Sequence, residues 1–379
     1  MDSGPALTLE SVRSLASSHR PPCLSFYLPT HGGAREEDRA KLEGLVRRAR
    51  EILRKSLRSA EVEEVLAPLE KIRSPESWSE QLQGLAVFLA PSFHAAYRLP
   101  SEMPELFVAA ESFHVRPLLR FVESNRHYFV LLLGKEHVGL FKGSAEGLVR
   151  VPVDGLPRSL EEALGSEDRE RSVTYHFGAR GANPIFGGGG KNDTSRDEDD
   201  ARFCRAVDEK AWSVLREERA PLVLAASERE AALFRSLTRY RHVARETLGP
   251  DLVRATSAQI HEHAWPIVQR IGLAATEEVV DRYDRLFSRG RSLDEVRAIA
   301  KFALGGRVSD LLLDRERNLW GRLDRATGDV ALFGERGNDG EEDVLDDIAE
   351  AVLLRGGHVW SVEATRMPTK SPVAAVLRW

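Results

Sequence analysis

The chain has 379 residues, 42% of them hydrophobic and 30% charged, with a net charge of −5. At about 150 residues per domain this length predicts two to three domains, and a chain this size buries enough surface to fold without staples. Only two cysteines are present, Cys23 and Cys204, which excludes a disulfide scaffold, a cysteine-held iron–sulfur cluster and a four-cysteine zinc site.

In chain order, Pro22–Pro29 reads as a strand stopped by proline, and the glycines at 32 and 33 mark a turn. Between Arg35 and Arg58 the apolar residues Leu42, Leu45, Val46, Ala49, Ile52, Leu53 and Leu57 recur at the spacing of a helix with one buried face. A shorter helix over Glu61–Lys71 and strands at Gly84–Ala90, His94–Leu99 and Leu106–Val115 complete an expected α/β domain over residues 1–122. Strands at Tyr128–Leu133, Val138–Lys142 and Leu148–Val153 open a second domain, 123–255. Ser159, with Glu162 three residues on, suggests a capped helix start.

Periodicity then stops. Residues 176–200 carry no helical or strand pattern and hold four consecutive glycines, so a loop is expected there. A helix over Ala201–Glu218, a strand over Leu222–Ala226 and a helix from Glu228 follow. The third part, 256–379, opens with a long helix, Ser257–Arg289. It continues as helix Leu293–Leu304, strands Val308–Asp314 and Leu319–Leu323, helix Glu342–Arg355, and strands His358–Val362 and Val373–Leu377. Alternation of this kind predicts a three-layer α/β sandwich, and the fold class expected for the whole chain is α/β.

No strongly apolar run exceeds Tyr128–Gly134, far short of the roughly 18 residues needed to span a bilayer. The first 18 residues lack the basic and apolar regions of a secretory signal. A cytoplasmic chain without a membrane partner is expected, and unpaired thiols fit a reducing compartment. The mild negative charge does not announce a nucleic-acid binder. Screening nevertheless limits the reach of distant charges to about 8–10 Å, so a local basic face remains open.

Two segments offer such a face. Arg47, Arg48, Arg50, Arg54, Lys55 and Arg58 cluster around a single acid, Glu51. They form either a solvated helix face or a contact for RNA phosphates. In the loop, Gly187, Gly188, Gly189, Gly190 and Lys191 lack the spacing of a Walker loop or a dinucleotide fingerprint. The loop is either a linker or a finger reaching into a partner, with Arg180 and Lys191 for phosphates and Phe186 for stacking. Acidic residues from Asp193 to Asp200 confine positive charge to its tip.

His261-Glu262-His263 places its histidines about 200° apart around a helix, so they do not converge on one ion. No nucleophile elbow is present. No catalytic residue, metal or cofactor is expected.

Leu24-Ser25-Phe26-Tyr27-Leu28-Pro29-Thr30-His31, Gly134-Lys135-Glu136-His137-Val138, Pro157-Arg158-Ser159-Leu160, the glycine-rich loop, Ala220-Pro221-Leu222-Val223-Leu224-Ala225 and His261-Glu262-His263-Ala264-Trp265-Pro266 together resemble the bacterial homologues of archaeal and eukaryotic release factors. That group includes the Balon-type ribosome hibernation factors. The resemblance runs over the whole chain and implies three domains in the manner of Pelota and class I release factors. It implies an N-terminal domain approaching the decoding centre and an RNase H-like central domain pointing its loop at the peptidyl transferase centre. The C-terminal domain would resemble kink-turn-binding ribosomal proteins.

Release factors place Gly-Gly-Gln at the loop tip, and this chain has no glutamine between Gln83 and Gln259. The resemblance therefore implies binding to the 70S ribosome, to 16S and 23S rRNA in the A site, without hydrolysis of peptidyl-tRNA. It also suggests delivery by EF-Tu, and no DNA partner. The alternative is a rescue or release factor that hydrolyses peptidyl-tRNA through another group, such as His176 acting as a base.

Overall fold

The computed structural model describes residues 7–17, 19–31, 36–74, 78, 82–124, 127–165, 190–333 and 342–379. They form a mixed α/β chain with several sheets. Two compact units result: residues 1–124 with 276–379, and residues 125–275. The first cut lies within two residues of the boundary expected at 122. The second falls inside a helix, because Ser257–Phe287 continues unbroken from one unit into the other.

The terminal unit begins with helix α1 (Leu9–Ala16), strand β1 (Cys23–Pro29) and helix α2 (Glu36–Leu53). Helices α3 (Ser59–Leu66) and α4 (Leu69–Ile72) come next. The sequence suggests one helix over that stretch. Pro68 between them cannot donate to a preceding carbonyl and divides it. Strands β2 (Gly84–Ala90), β3 (Phe93–Leu99) and β4 (Leu106–Ala110) complete an antiparallel sheet of order β3-β2-β1-β4.

Both faces of this sheet are buried, so its strands read as continuous apolar runs rather than as alternation. Leu24, Phe26 and Leu28 pack under Leu42, Val46, Ala49 and Leu53 of α2. Cys23, Tyr27 and Phe88 point the other way. The expected strand to Val115 stops at Ala110, and a helix, α5 (Arg116–Ser124), follows. Pro117, in the first turn of α5, fits there because that N–H has no partner in any helix.

The central unit holds strands β5 (Tyr128–Leu133), β6 (Val138–Ser144) and β7 (Gly147–Val151) and helix α6 (Leu160–Leu164). Ser159 caps α6 by accepting from the Glu162 amide at 3.2 Å, as its sequence suggests. Helix α7 (Gly190–Leu215), strand β8 (Leu222–Ala225), helix α8 (Glu228–Leu237) and strand β9 (Val243–Leu248) follow. The sheet order is β7-β6-β5-β8-β9, with β6 antiparallel to both neighbours and β5, β8 and β9 parallel. Numbered from β5, this is order 3-2-1-4-5 with the second strand reversed, the arrangement of an RNase H-like sheet. Strand β9 and helices α1 and α5 carry sequence patterns too short to be read from periodicity.

Helix α7 corrects the expected loop over 176–200. Its first eleven residues, 190–200, are helical, so Gly190 and Lys191 stand in its first turn. Phe203, Cys204, Val207, Ala211 and Leu215 anchor α7 on the sheet. Once a helix is nucleated, each further residue adds one hydrogen bond, so a polar stretch can extend it. Acidic side chains near a helix N-terminus are also favourable. Arg180, Phe186, Gly187, Gly188 and Gly189 lie outside the described residues.

Helix α9 (Ser257–Phe287) covers the other face of the central sheet with Ile260, Ala264, Ile267 and Val268. The C-terminal segment then adds β10 (Ser292–Leu293), α10 (Val296–Leu304), β11 (Val308–Asp314), β12 (Trp320–Leu323), β13 (Val330–Leu332), β14 (Glu342–Asp343), α11 (Val344–Leu354), β15 (His358–Val362) and β16 (Val373–Leu377). A four-stranded sheet of order β10-β16-β11-β15 is sandwiched between helices, as the alternation predicts. Leu311, Leu313, Val373 and Ala375 face α10 and α11, whereas Leu312, Ala374 and Val376 face Val279 and Tyr283 of α9.

The N-terminal and C-terminal segments share one buried apolar cluster, in which Phe88, Phe113 and Leu118 join Ile348, Val352 and Leu345. A polar clasp accompanies it. The backbone amides of Val115 and Arg116 donate to Asp346 Oδ1 at 3.0 and 2.6 Å. The Arg116 guanidinium pairs with Asp343 and donates to Asn318 Oδ1 at 2.8 Å and to the Asp314 carbonyl at 2.7 Å. Asp343 also caps α11 through the Leu345 amide, at 3.2 Å.

Candidate nucleic-acid interface

On α2, Asp38, Leu42, Val46, Ala49 and Leu53 turn inward, which leaves Arg47 and Arg48 exposed on the opposite side. Arg54, exposed just beyond the last turn, lies seven residues from Arg47 and so on the same side of the axis. Arg50 is placed differently. Its Nε and Nη2 donate to the Glu63 carboxylate at 3.1 and 3.0 Å, a bidentate tie between α2 and α3. Phosphate contact through Arg50 would require breaking that tie. Cations at the end of a helix also complement its dipole, which holds this charge at low cost.

The start of α2 is fixed by residues the resemblance singled out. Asp38, 1% exposed, accepts from the His31 backbone amide at 2.7 Å and contacts His31 Nδ1 at 3.0 Å. Thr30 Oγ1 donates to the Leu82 carbonyl at 2.8 Å. The Thr30-His31 motif thus anchors the end of β1 to α2 and to the strand beside it.

In the central unit the Gly134–Val138 and Pro157–Leu160 motifs meet at the carboxyl end of β5. The turn after β5 takes the Leu160 amide onto the Lys135 carbonyl at 2.7 Å, and the Val138 amide donates to the Arg158 carbonyl at 2.9 Å. Lys135 Nζ lies 3.0 Å from Asp200 Oδ1 on α7. Arg229, in the first turn of α8, approaches Asp200 at 3.4 Å and pairs with Asp197. Two acids that sequence reading counts against a cationic loop base are thus each met by a cation. Lys135 and Arg229 were not among the expected site residues. Lys135 had a signal, its place in the Gly134–Val138 motif, whereas Arg229 had none, because its partners lie about 30 residues earlier. By its rise of about 1.5 Å per residue, α7 extends well past the strands it packs on.

His261 and His263 engage different groups. His261 Nδ1 is hydrogen-bonded to the Tyr128 hydroxyl at 2.8 Å, and His263 Nδ1 lies 2.9 Å from the Gln259 carbonyl. Trp265 stacks on His261 with centroids 6.0 Å apart. This trio secures α9 to β5, the structural role the sequence suggested. Gly143, opposite Tyr128 in the β5–β6 register, makes the trio possible, since a Cβ there would stand 2.5 Å from the tyrosine ring. Gly143→Ala is expected to destabilise the central unit by roughly 1–3 kcal/mol through overpacking. Urea unfolding measures it, and an unchanged midpoint would contradict this packing role.

Burial pushes the Cys204 thiol up to about 12, with Asp200 and Glu230 adding to the effect. Burial, with help from Glu350, does the same for Cys23. Neither supplies a thiolate nucleophile at neutral pH. Among the described residues no group of three or more histidine, cysteine or acidic side chains is placed to hold a metal ion. No described helix is long and apolar enough to cross a membrane. His176 lies outside the described residues. What the geometry offers is exposed guanidinium groups on a rigid helix and a braced base for the segment between α6 and α7.

Residues 127–307 match the family described as Bacterial archaeo-eukaryotic release factor family 3. The match begins one residue before β5 and takes in the whole central sheet and α9. Over that stretch the chain is similar to the bacterial archaeo-eukaryotic release factors. No curated protein matches it. It is similar to an archaeal Pelota, solved in a model of ribosome-bound archaeal Pelota and ABCE1, at 11% identity and a TM-score of 0.40, covering 99% of this chain and 95% of that one. Archaeoglobus fulgidus Pelota gives 11% identity, a TM-score of 0.31 and coverage of 100% and 96%. The archaeal translation termination factor aRF1 gives 13%, 0.24, and coverage of 98% and 99%.

Proposed function

We propose that this release-factor-like chain is a cytoplasmic ribosome-binding factor that occupies the A site and shields both active centres without hydrolysing peptidyl-tRNA. The observation that carries the reading is the family match over 127–307 in a chain with no glutamine between Gln83 and Gln259. Without a glutamine to place the attacking water, the segment between α6 and α7 retains glycines and cations but lacks the positioning group of a release factor. Binding then remains while the chemistry does not. Arg47 and Arg54 would meet 16S rRNA phosphates near the decoding centre, and Lys191 and Arg180 would meet 23S rRNA near the peptidyl transferase centre. Delivery by EF-Tu and service in hibernation belong to the same reading.

Two measurements test it. The protein is expected to co-sediment with 70S ribosomes from stationary or stressed cells. At saturating concentration it is expected to release no labelled peptide from stalled ribosomes. Protein confined to the top of the gradient under every condition would overturn ribosome binding. Stoichiometric peptide release would move the assignment to a rescue factor with a different catalytic group.

A further inference from the structure

The terminal unit buries an unusual arrangement of acids that the proposed function does not use. Asp347 and Glu350 lie three residues apart on α11, one turn on the same face, and are 2% and 0% exposed. Both carboxylates converge on a single nitrogen. Arg325 Nη2 lies 2.7 Å from Asp347 Oδ1, 2.6 Å from Glu350 Oε2 and 2.8 Å from Ser112 Oγ. That nitrogen carries two hydrogens and faces three oxygens. Meanwhile Asp347 Oδ2 and Glu350 Oε1 are both buried and find no hydrogen-bond partner among the described residues. Two buried carboxylates with one guanidinium leave one negative charge uncompensated and two acceptors unsatisfied, each of which is costly in a dry site.

Among the described residues, the other charged groups around the pair do not supply the missing cation. Asp346 sits on the same helix, and Glu342 and Asp343 belong to β14. Asp343 already holds the Arg116 guanidinium of α5. Asp346 is taken by the amides of Val115 and Arg116, with His114 Nδ1 3.5 Å from its Oδ2. From β1 the pair faces the Cys23 thiol, which is held protonated.

We propose that Asp347 and Glu350 hold one proton between them, and that this shared proton keeps the Ser112 segment docked on α11 by leaving Arg325 with one net partner charge. The proton supplies the absent donor and satisfies the orphaned oxygens. When it leaves for water, the pair carries two negative charges against one cation, and hydration of the site competes with the docked segment. Burial raises both carboxyls well above their ordinary range, aided by Glu342 at Asp347 and by Asp346 at Glu350, with Arg325 opposing. A carboxyl raised in the folded state contributes stability that is complete below its unfolded value and is lost as pH rises through its folded value. One such proton lowers the folding constant by up to about tenfold per pH unit across that window. His114, also raised, has the same sign and is common to all variants below.

The experiment is urea unfolding of the full chain from pH 5 to 9, for wild type, Asp347→Asn and Glu350→Gln. It is paired with infrared spectra of the wild type at neutral and alkaline pH. The expected results are a loss of stability with rising pH in wild type and a slope shallower by about one proton in either variant. A protonated-carboxyl carbonyl band is expected at neutral pH that fades at alkaline pH. Identical slopes in wild type and variants would overturn the proposal. Should the variants not fold, absence of that band in the wild type at neutral pH would overturn it by itself.

Discussion

Replacing Asp343 by alanine is expected to be the most damaging single change in the terminal unit. It leaves the Arg116 guanidinium, whose side chain is 10% exposed, without its paired carboxylate, and it removes the N-cap of α11. Breaking a buried ion pair by deleting one partner costs about 3–5 kcal/mol, and losing a cap about 1 kcal/mol more. At about 2–4 °C per kcal/mol for a unit of this size, the melting temperature is expected to fall by roughly 8–24 °C. Scanning calorimetry measures it. The N-terminal and C-terminal segments are expected to lose structure in one transition, because they share one apolar cluster as well as this clasp. A fall of under about 2 °C, or separate transitions for the two segments, would mean that the clasp does not hold them together.

The second large effect is expected at Arg47 and Arg54. Each phosphate neutralised on binding releases counterions, which contributes about 0.7–0.9 to the slope of log affinity against log salt. Reversing both charges, Arg47→Glu with Arg54→Glu, is expected to reduce that slope by about 1.4–1.8 and to weaken ribosome binding at least about tenfold at low salt. The fold should survive, because both side chains are exposed on the far side of α2 from its buried face. Arg50→Ala provides the contrast. It is expected to leave the salt slope nearly unchanged and to loosen α3, since Arg50 is tied to Glu63. Filter binding to 70S ribosomes across a salt series separates the two, and an unchanged slope in the double variant would return α2 to the role of a solvated face.

The contrast between Arg47 and Arg50 shows how far the sequence reaches. Spacing placed α2 and its buried stripe correctly, because Leu42, Val46, Ala49 and Leu53 repeat within one helix and need no distant partner to declare a face. The same local logic gave strands β5 to β8 of the central sheet, though not β9, and the cap at Ser159. It also separated His261 from His263, since two residues two apart on a helix cannot share an ion. Composition alone set the absence of a glutamine between Gln83 and Gln259, on which the proposed lack of hydrolysis rests.

What the sequence did not decide depends on residues far apart in the chain. Arg50 looks like Arg47 until Glu63 folds beside it. The polar stretch 190–200 carries no apolar period, and it is helical because the anchored residues from Phe203 onward extend it while Lys135 and Arg229 neutralise its acids. The grouping of residues 1–124 with 276–379 rests on partners more than two hundred residues apart, such as Val115 with Asp346. Periodicity reports which face of an element is apolar, a property of neighbours along the chain. Which face meets which, and which buried charge finds a partner, is fixed only when packing brings distant segments together and removes the water between them.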